Sequence, residues 1–202
     1  MFYEPQNGHG LRFDPFKALV VPRPIGWIST VDREGRPNLA PFSFFNAVAS
    51  SPPCVAFAAS ARRSGSPKDS HRNAEETGGF VVNLATFAQR EQMGLTAGSY
   101  PADTNEFEVA GLETLESRMV AAPRVKGAPA HLECRYLHTV EMPSTDPAVG
   151  NYVVFGQVVG VHIEDRLIAE GRVDVTKAKP LARMGYRDYS VIESQFEMHW
   201  PD

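Results

Sequence analysis

Two short stretches hold most of the residues that could do chemistry. Along 41–46, Pro41, Ser43 and Phe45 alternate with Phe42, Phe44 and Asn46. One face of an extended chain would carry a hydroxyl and the other an amide, each among aromatic rings. Trp27, Ser29 and Thr30 repeat this mixture in the segment before. Hardly any charge interrupts these residues. Such a surface suits a flat heteroaromatic ligand that makes a few directed hydrogen bonds and much apolar contact. The core of an ordinary β-barrel uses the same residue types, so Trp27 is either a core tryptophan or a ring contact. The second stretch, 60–72, offers Arg62, Arg63, Lys68 and Arg72 with the hydroxyls of Ser60, Ser64, Ser66 and Ser70. Hydroxyls and backbone amides orient a phosphate, and the cations neutralise it. The alternative is a solvated basic loop.

Other sites are sparse. Arg183, in Leu181-Ala182-Arg183-Met184-Gly185, is a candidate for a ligand mouth, with Tyr186 and Tyr189 lining the opening. It serves equally well as the partner of a structural carboxylate. The six histidines, His9, His71, His131, His138, His162 and His199, form no metal-binding spacing, so no metal site is expected. His71 falls in the presumed phosphate turn. No glycine-rich dinucleotide fingerprint and no Walker pattern occurs.

The elements that must position these residues read as strands and short helices. Ile25 to Val31 and Leu39 to Val48 form a hairpin around Asp32-Arg33-Glu34-Gly35-Arg36, ended by Ser50-Ser51-Pro52-Pro53. Phe16 to Val21 is a short strand or turn, after an irregular arm at 1–12. Cys54 to Ser60 is a buried strand. Asp69 to Thr77 is a helix whose free N–H groups and dipole favour an anion. It is capped by Ser66 or Asp69 and stopped by Gly78-Gly79. Phe80 to Leu84 is a strand and Thr86 to Ala97 a helix capped by Thr86. Residues 99–117 are a loop with one short helix. Ala130 to Val140 and Tyr152 to Ile163 are strands, the latter with a bulge or close approach at Gly156 or Gly160. Leu167 to Val173 continues the barrel or forms a linking helix, and the tail from Ser194 to Asp202 packs on a partner subunit. Short strands punctuated by glycine and proline point to a β-barrel with helical decorations.

Bulk properties set the limits. A chain of 202 residues is expected to form one domain, 1–202, with a core at about 12–193. The formal net charge of −4 excludes a general nucleic-acid binder. No apolar run is long enough for a membrane helix, and the N-terminus does not resemble a secretory signal. Cys54 and Cys134 are expected to be reduced thiols in a cytoplasmic protein.

The run PRPIGWISTVDREGRPNLAPFSFFNAVASSPP (22–53) resembles the signature hairpin of the flavin reductase-like family, the FMN-binding split barrels. PKDSHRNAEETGGFVVNL (67–84) and KPLARMGYRDYSVIE (179–193) resemble its later motifs in the same order. The resemblance implies a mainly β fold, a Greek-key split barrel with a few short helices. It implies an FMN isoalloxazine on Trp27, Ser29, Thr30 and 40–46, with Ser43 and Asn46 as the best side-chain hydrogen-bonders. It also implies phosphate contacts at Ser60, Arg62, Lys68, Asp69 and Ser70, with FAD a less suitable cofactor than FMN. The activity implied is hydride transfer from NAD(P)H to the flavin and onward to an acceptor, such as a partner oxygenase, in a homodimer. An electron carrier without NAD(P)H activity is the second reading, and a barrel that has lost its cofactor the third. No general acid or base is needed, because the flavin supplies the reactivity.

Overall fold

The computed structural model describes residues 1–62, 65–101, 103–146, 148–199 and 201. The strands in chain order are β1 (Arg23–Pro24), β2 (Gly26–Val31), β3 (Pro37–Phe42), β4 (Phe45–Ser50), β5 (Pro53–Ser60), β6 (Gly79–Leu84), β7 (Thr114–Leu115) and β8 (Arg124–Val125). They continue with β9 (Ala130–Met142), β10 (Asn151–Ile163), β11 (Ile168–Ala169), β12 (Arg172–Val173), β13 (Leu181–Arg183) and β14 (Tyr189–Val191). Seven of them make one sheet in the order β3-β2-β6-β9-β10-β5-β4. β3 and β4 occupy opposite edges, yet only Ser43 and Phe44 separate them in the chain. The chain steps from one edge straight to the other, and the sheet closes into a barrel. At the step, the Ala58 N–H donates to the Phe44 carbonyl at 2.7 Å. A Cβ on Gly26, at the start of β2, would meet the Phe45 ring at 2.7 Å, so only glycine lets the two edges approach there.

The expected hairpin is therefore half right. β2 and β3 pair antiparallel around the Asp32–Arg36 turn, where Gly35 takes a φ of 80°. The returning strand, however, does not run unbroken from Leu39 to Val48. It bends at Ser43-Phe44 because β3 must pair with β2 while β4 pairs with β5. One straight strand cannot serve both edges of a closed sheet.

Two apolar clusters flank the barrel wall. One fills the barrel with Ile28, Phe42, Val55, Phe57, Phe80, Val82, Cys134 and Val154. The other, with Trp27, Leu39, Met93, Phe107, Val125 and Leu181, seals the opposite face of the same strands. β2 is buried at every position, which is why it reads as near-continuous Gly-Trp-Ile-Ser-Thr-Val and not as a polar–apolar alternation. The pairing of β9 with β10 shifts register at Phe155/Gly156 and at Val158/Gly160, as the two glycines foretold. The Phe80 ring occupies the space a Gly156 side chain would need, 2.5 Å from the would-be Cβ. On the other parity of β9, fully buried Glu133 accepts hydrogen bonds from the Arg118 N–H at 2.9 Å and from the Met119 N–H at 2.5 Å. His162 Nε2 meets the same carboxylate at 2.5 Å.

The helices are short. α1 (Phe16–Leu19) stands where a strand or turn was expected, and Asp14 accepts from the Phe16 N–H at its start. α2 (Asp69–Thr77) has the expected length and ends on left-handed Gly78. Its N-cap is Lys68, with no side-chain hydrogen bond, so neither Ser66 nor Asp69 caps it. The Thr86–Ala97 segment splits into a 3-10 turn and α3 (Arg90–Leu95), and the Thr86 side chain caps neither. Thr86 instead bridges to Pro180. The 99–117 loop holds α4 (Glu106–Val109). Segment 167–173 is neither barrel nor helix but mostly the small ladder β11–β12.

Candidate functional site

β5 runs into a loop and then α2, and this turn brings the predicted cations together. The Gly65 N–H donates back to the Arg62 carbonyl, and the Arg62 N–H to the Ser66 carbonyl, holding Arg62 against Gly65 and Ser66. Arg63 and Ser64 lie outside the described residues. The Arg62 guanidinium donates to the Tyr100 carbonyl at 3.2 Å and pairs with Asp69. Asp69 also holds Arg72 at 2.6 Å, so one carboxylate fixes two arginines at the head of α2. Lys68 has no carboxylate partner among the described residues and sits 5.7 Å from the Phe42 ring centre. Burial, and then the neighbouring Arg62, holds its ammonium below the ordinary lysine pKa. The first turn of α2 carries no side-chain cap, which leaves N–H groups for solvent or an anion.

Arg62, Lys68, Asp69 and Tyr100 line a cavity of about 550 Å³, whose wall continues through Ala40, Pro41 and Phe42 of β3. Glu106 of α4 reaches the same cavity. It accepts from Asn38 Nδ2 at 2.9 Å and from the Leu39 N–H at 3.1 Å. Burial pushes its carboxyl pKa up, against the pull of those two bonds. Asn38 Oδ1 in turn accepts from Ser70 Oγ at 2.8 Å and Thr30 Oγ1 at 3.3 Å. A buried relay thus ties α4, β3, β2 and α2 into one rigid wall.

A second cavity, of about 310 Å³, begins where the first stops. Ser43, Phe44, Phe45 and Asn46 line it, with Ala56 and Ala58 of β5 and with Arg23. The hairpin's second half therefore divides between two cavities: up to Phe42 on one, from Ser43 on the other.

Other predicted residues fall elsewhere. The Trp27 side chain has no exposed surface and donates from Nε1 to Thr96 Oγ1 at 2.9 Å. Ser29 donates to the Pro123 carbonyl, and Thr30 joins the Asn38–Asn73 network. All three side chains are sealed in the wall and line neither cavity. Ser60 is exposed and donates to Asn151 Oδ1 at 3.0 Å. Ser70 faces the first cavity, but its hydroxyl proton is committed to Asn38. The Arg183 guanidinium lies 4.5 Å over the Tyr189 ring and donates to the Tyr189 hydroxyl and the Tyr186 carbonyl, outside both cavities. His71 is buried against Tyr152 and Thr139, and burial lowers its pKa. Cys54 and Cys134 are free thiols. Among the described residues no cluster fits a metal ion.

Sequence reasoning missed Asn38, Glu106, Tyr100 and Arg23. Only Arg23 carried a signal, a charge framed by Pro22 and Pro24.

The chain is similar to known proteins. The model of the flavin reductase like domain fits residues 18–182, and the chain belongs to that family. An "Uncharacterized protein" of Aquifex aeolicus is 39% identical over 173 residues, covering 85% of each chain. Another from Deinococcus radiodurans is 35% identical, covering 93% of this chain and 83% of its own. Among solved structures, nitrilotriacetate monooxygenase component B from Bacillus cereus superposes with a TM-score of 0.89 at 30% identity, covering 98% of both chains. The 2-nitrobenzoate 2-nitroreductase NbaA of Pseudomonas fluorescens gives 0.79 at 28% identity, over 92% of this chain and 88% of its own. The flavoredoxin of Desulfovibrio vulgaris, at 21% identity and a TM-score of 0.76 over 89% of this chain and 91% of its own, shares the split-barrel fold.

Proposed function

We propose that this chain is an FMN-dependent oxidoreductase that takes a hydride from NAD(P)H and passes the electrons to an acceptor. The observation that carries the reading is the first cavity. An uncapped helix start, Arg62 and a lysine without a carboxylate meet there beside the Ala40–Phe42 wall. That donor set fits a phosphate monoester: two cations and free N–H groups at one end, an apolar slot leading away from them. Lys68 and Arg62 would hold the phosphate, Asp69 would orient Arg62, and Pro41 to Asn46 would border the ring. A bound flavin supplies the hydride-accepting chemistry. The chain's own part is to bind, to orient and to keep water from one face of the ring.

The likeness to a monooxygenase component B supports a partner oxygenase as the acceptor's owner. The test is the visible spectrum of the purified protein, repeated anaerobically with NADH or NADPH. Flavin bands that bleach within seconds identify a reductase and its donor. Bands that persist assign the chain as an electron carrier. A colourless protein that takes up no FMN overturns both.

A further inference from the structure

The second cavity has a feature that flavin binding does not use. Arg23 is only 6% exposed, yet no carboxylate among the described residues pairs with it. Its guanidinium donates to the carbonyls of Lys17, Val20 at 2.6 Å and Met184 at 2.9 Å, and its Nε–H has no partner among the described residues. Carbonyls fix this cation in place without neutralising it. Directly across the β1–β13 ladder stands Arg183, so the two guanidinium side chains leave the same face of the sheet. Lys17 Nζ lies 5.8 Å from the centre of the Phe44 ring, and the Arg23 guanidinium 5.7 Å from it. Neither Arg183 nor Lys17 meets a carboxylate among the described residues. Two cations thus flank one half-exposed aromatic ring, and a third faces Arg23 across the ladder. Like charges held together raise the free energy of the site unless an anion joins them.

We propose that Lys17 and Arg23, beside Phe44, and Arg183, across the ladder from Arg23, form a second anion subsite that receives the pyrophosphate of the nicotinamide dinucleotide donor. The inference rests on the reductase reading above and names how its donor is held. Charge balance favours this occupant. A dinucleotide pyrophosphate carries about two negative charges against three cations, whereas a carboxylate acceptor carries one. Position favours it as well. The two cavities share no lining residue, yet Phe42 borders one and Ser43 the other, so a flavin phosphate at Lys68 leaves these cations unmatched. The residues nearest the cluster, Ser43 to Asn46, are those proposed to border the flavin ring. Arg23 is the buried anchor of the charge, and the more exposed Arg183 and Lys17 are the groups a solute can reach.

FMN-saturated protein is titrated calorimetrically with NADP+ and, separately, with inorganic pyrophosphate. Both should bind, and more weakly as salt is added. Arg183→Ala should weaken both by about tenfold, the effect of one lost charge-assisted hydrogen bond, and Lys17→Ala by less. FMN affinity should stay unchanged in both variants. Melting temperature checks the fold. Should Arg183→Ala fail to fold, Lys17→Ala decides, since its side chain is exposed. Unchanged affinities for both probes overturn the subsite while leaving the reductase reading standing. A parallel fall in FMN affinity overturns it too, by assigning the cations to the flavin. If pyrophosphate binds through these cations but neither NADH nor NADPH bleaches the flavin, the dinucleotide is not the occupant and the reductase reading falls with it.

Discussion

At the scale of single residues, the cations of the first cavity are the most direct handle. Arg62→Ala or Lys68→Ala should each weaken FMN binding by about 1–3 kcal/mol, the cost of a lost hydrogen bond to a charged group. Fluorescence titration of the flavin-free protein measures it, and two unchanged affinities would remove the phosphate from this cavity. Glu133 makes a different prediction. Burial alone would raise its pKa, but the Arg118 N–H, His162 and the Met119 N–H more than offset that, and the folded pKa lies below the usual value. A carboxyl shifted this way contributes stability that is complete above its unfolded pKa and is lost as pH falls through the folded one. Glu133→Gln should therefore destabilise the protein at pH 7 and flatten the acid limb of a melting-temperature profile. An unaltered acid limb would show that another group sets it. Such residues differ in how far the sequence reveals them. Arg62 and Lys68 declare themselves by type and by proximity along the chain. Glu133, Glu106 and Asn38 do not, because their partners come from remote segments and no local spacing marks them.

At the scale of elements, most strands and α2 were legible because their signals are local. Apolar runs between prolines and glycines mark strands, and Gly78 marks the helix end. The break at Ser43-Phe44 was not legible. It is imposed by pairing to two different neighbours, which no window of sequence contains. The same limit explains why alternation along 41–46 suggested a single two-faced strand. The bulges of β10 were legible, since glycine in a strand interior has few other uses. They allow a sharp test. Gly156→Ala would push a methyl into the Phe80 ring, and overpacking of this kind typically costs about 1–3 kcal/mol. Urea denaturation should show the loss, and a midpoint equal to that of the parent would mean that Phe80 can move aside.

At the scale of the whole molecule, the closed barrel leaves an apolar exterior. Val48 of β4 is 50% exposed, and Leu137 and Met142 of β9 are 44% and 45% exposed. Scattered apolar residues are ordinary on a surface, but these lie on two strands of the same sheet, β4 beside β5 and β9 one strand further on across β10. The homodimer implied by the family resemblance would cover them. Sedimentation equilibrium should give the mass of two chains, and Leu137→Asp should shift it towards one. A monomeric parent protein would refute the pairing.

The step from β3 to β4 also bears on how the barrel opens. The other junctions join neighbouring strands, except that β5 crosses over to β6 through α2, whereas Ser43-Phe44 joins the two free edges of the sheet. Thermal fluctuations that part the barrel should start at this seam, where the ladder is held across the bend by the Ala58 N–H on the Phe44 carbonyl. Amide hydrogen exchange at Ala58 then becomes a gauge of barrel opening. A ligand lying on Ser43 to Asn46 clasps the seam and should slow that exchange by the factor its concentration and affinity dictate. Occupancy of the site would thus be read from a backbone proton, with no need to follow the colour of a cofactor.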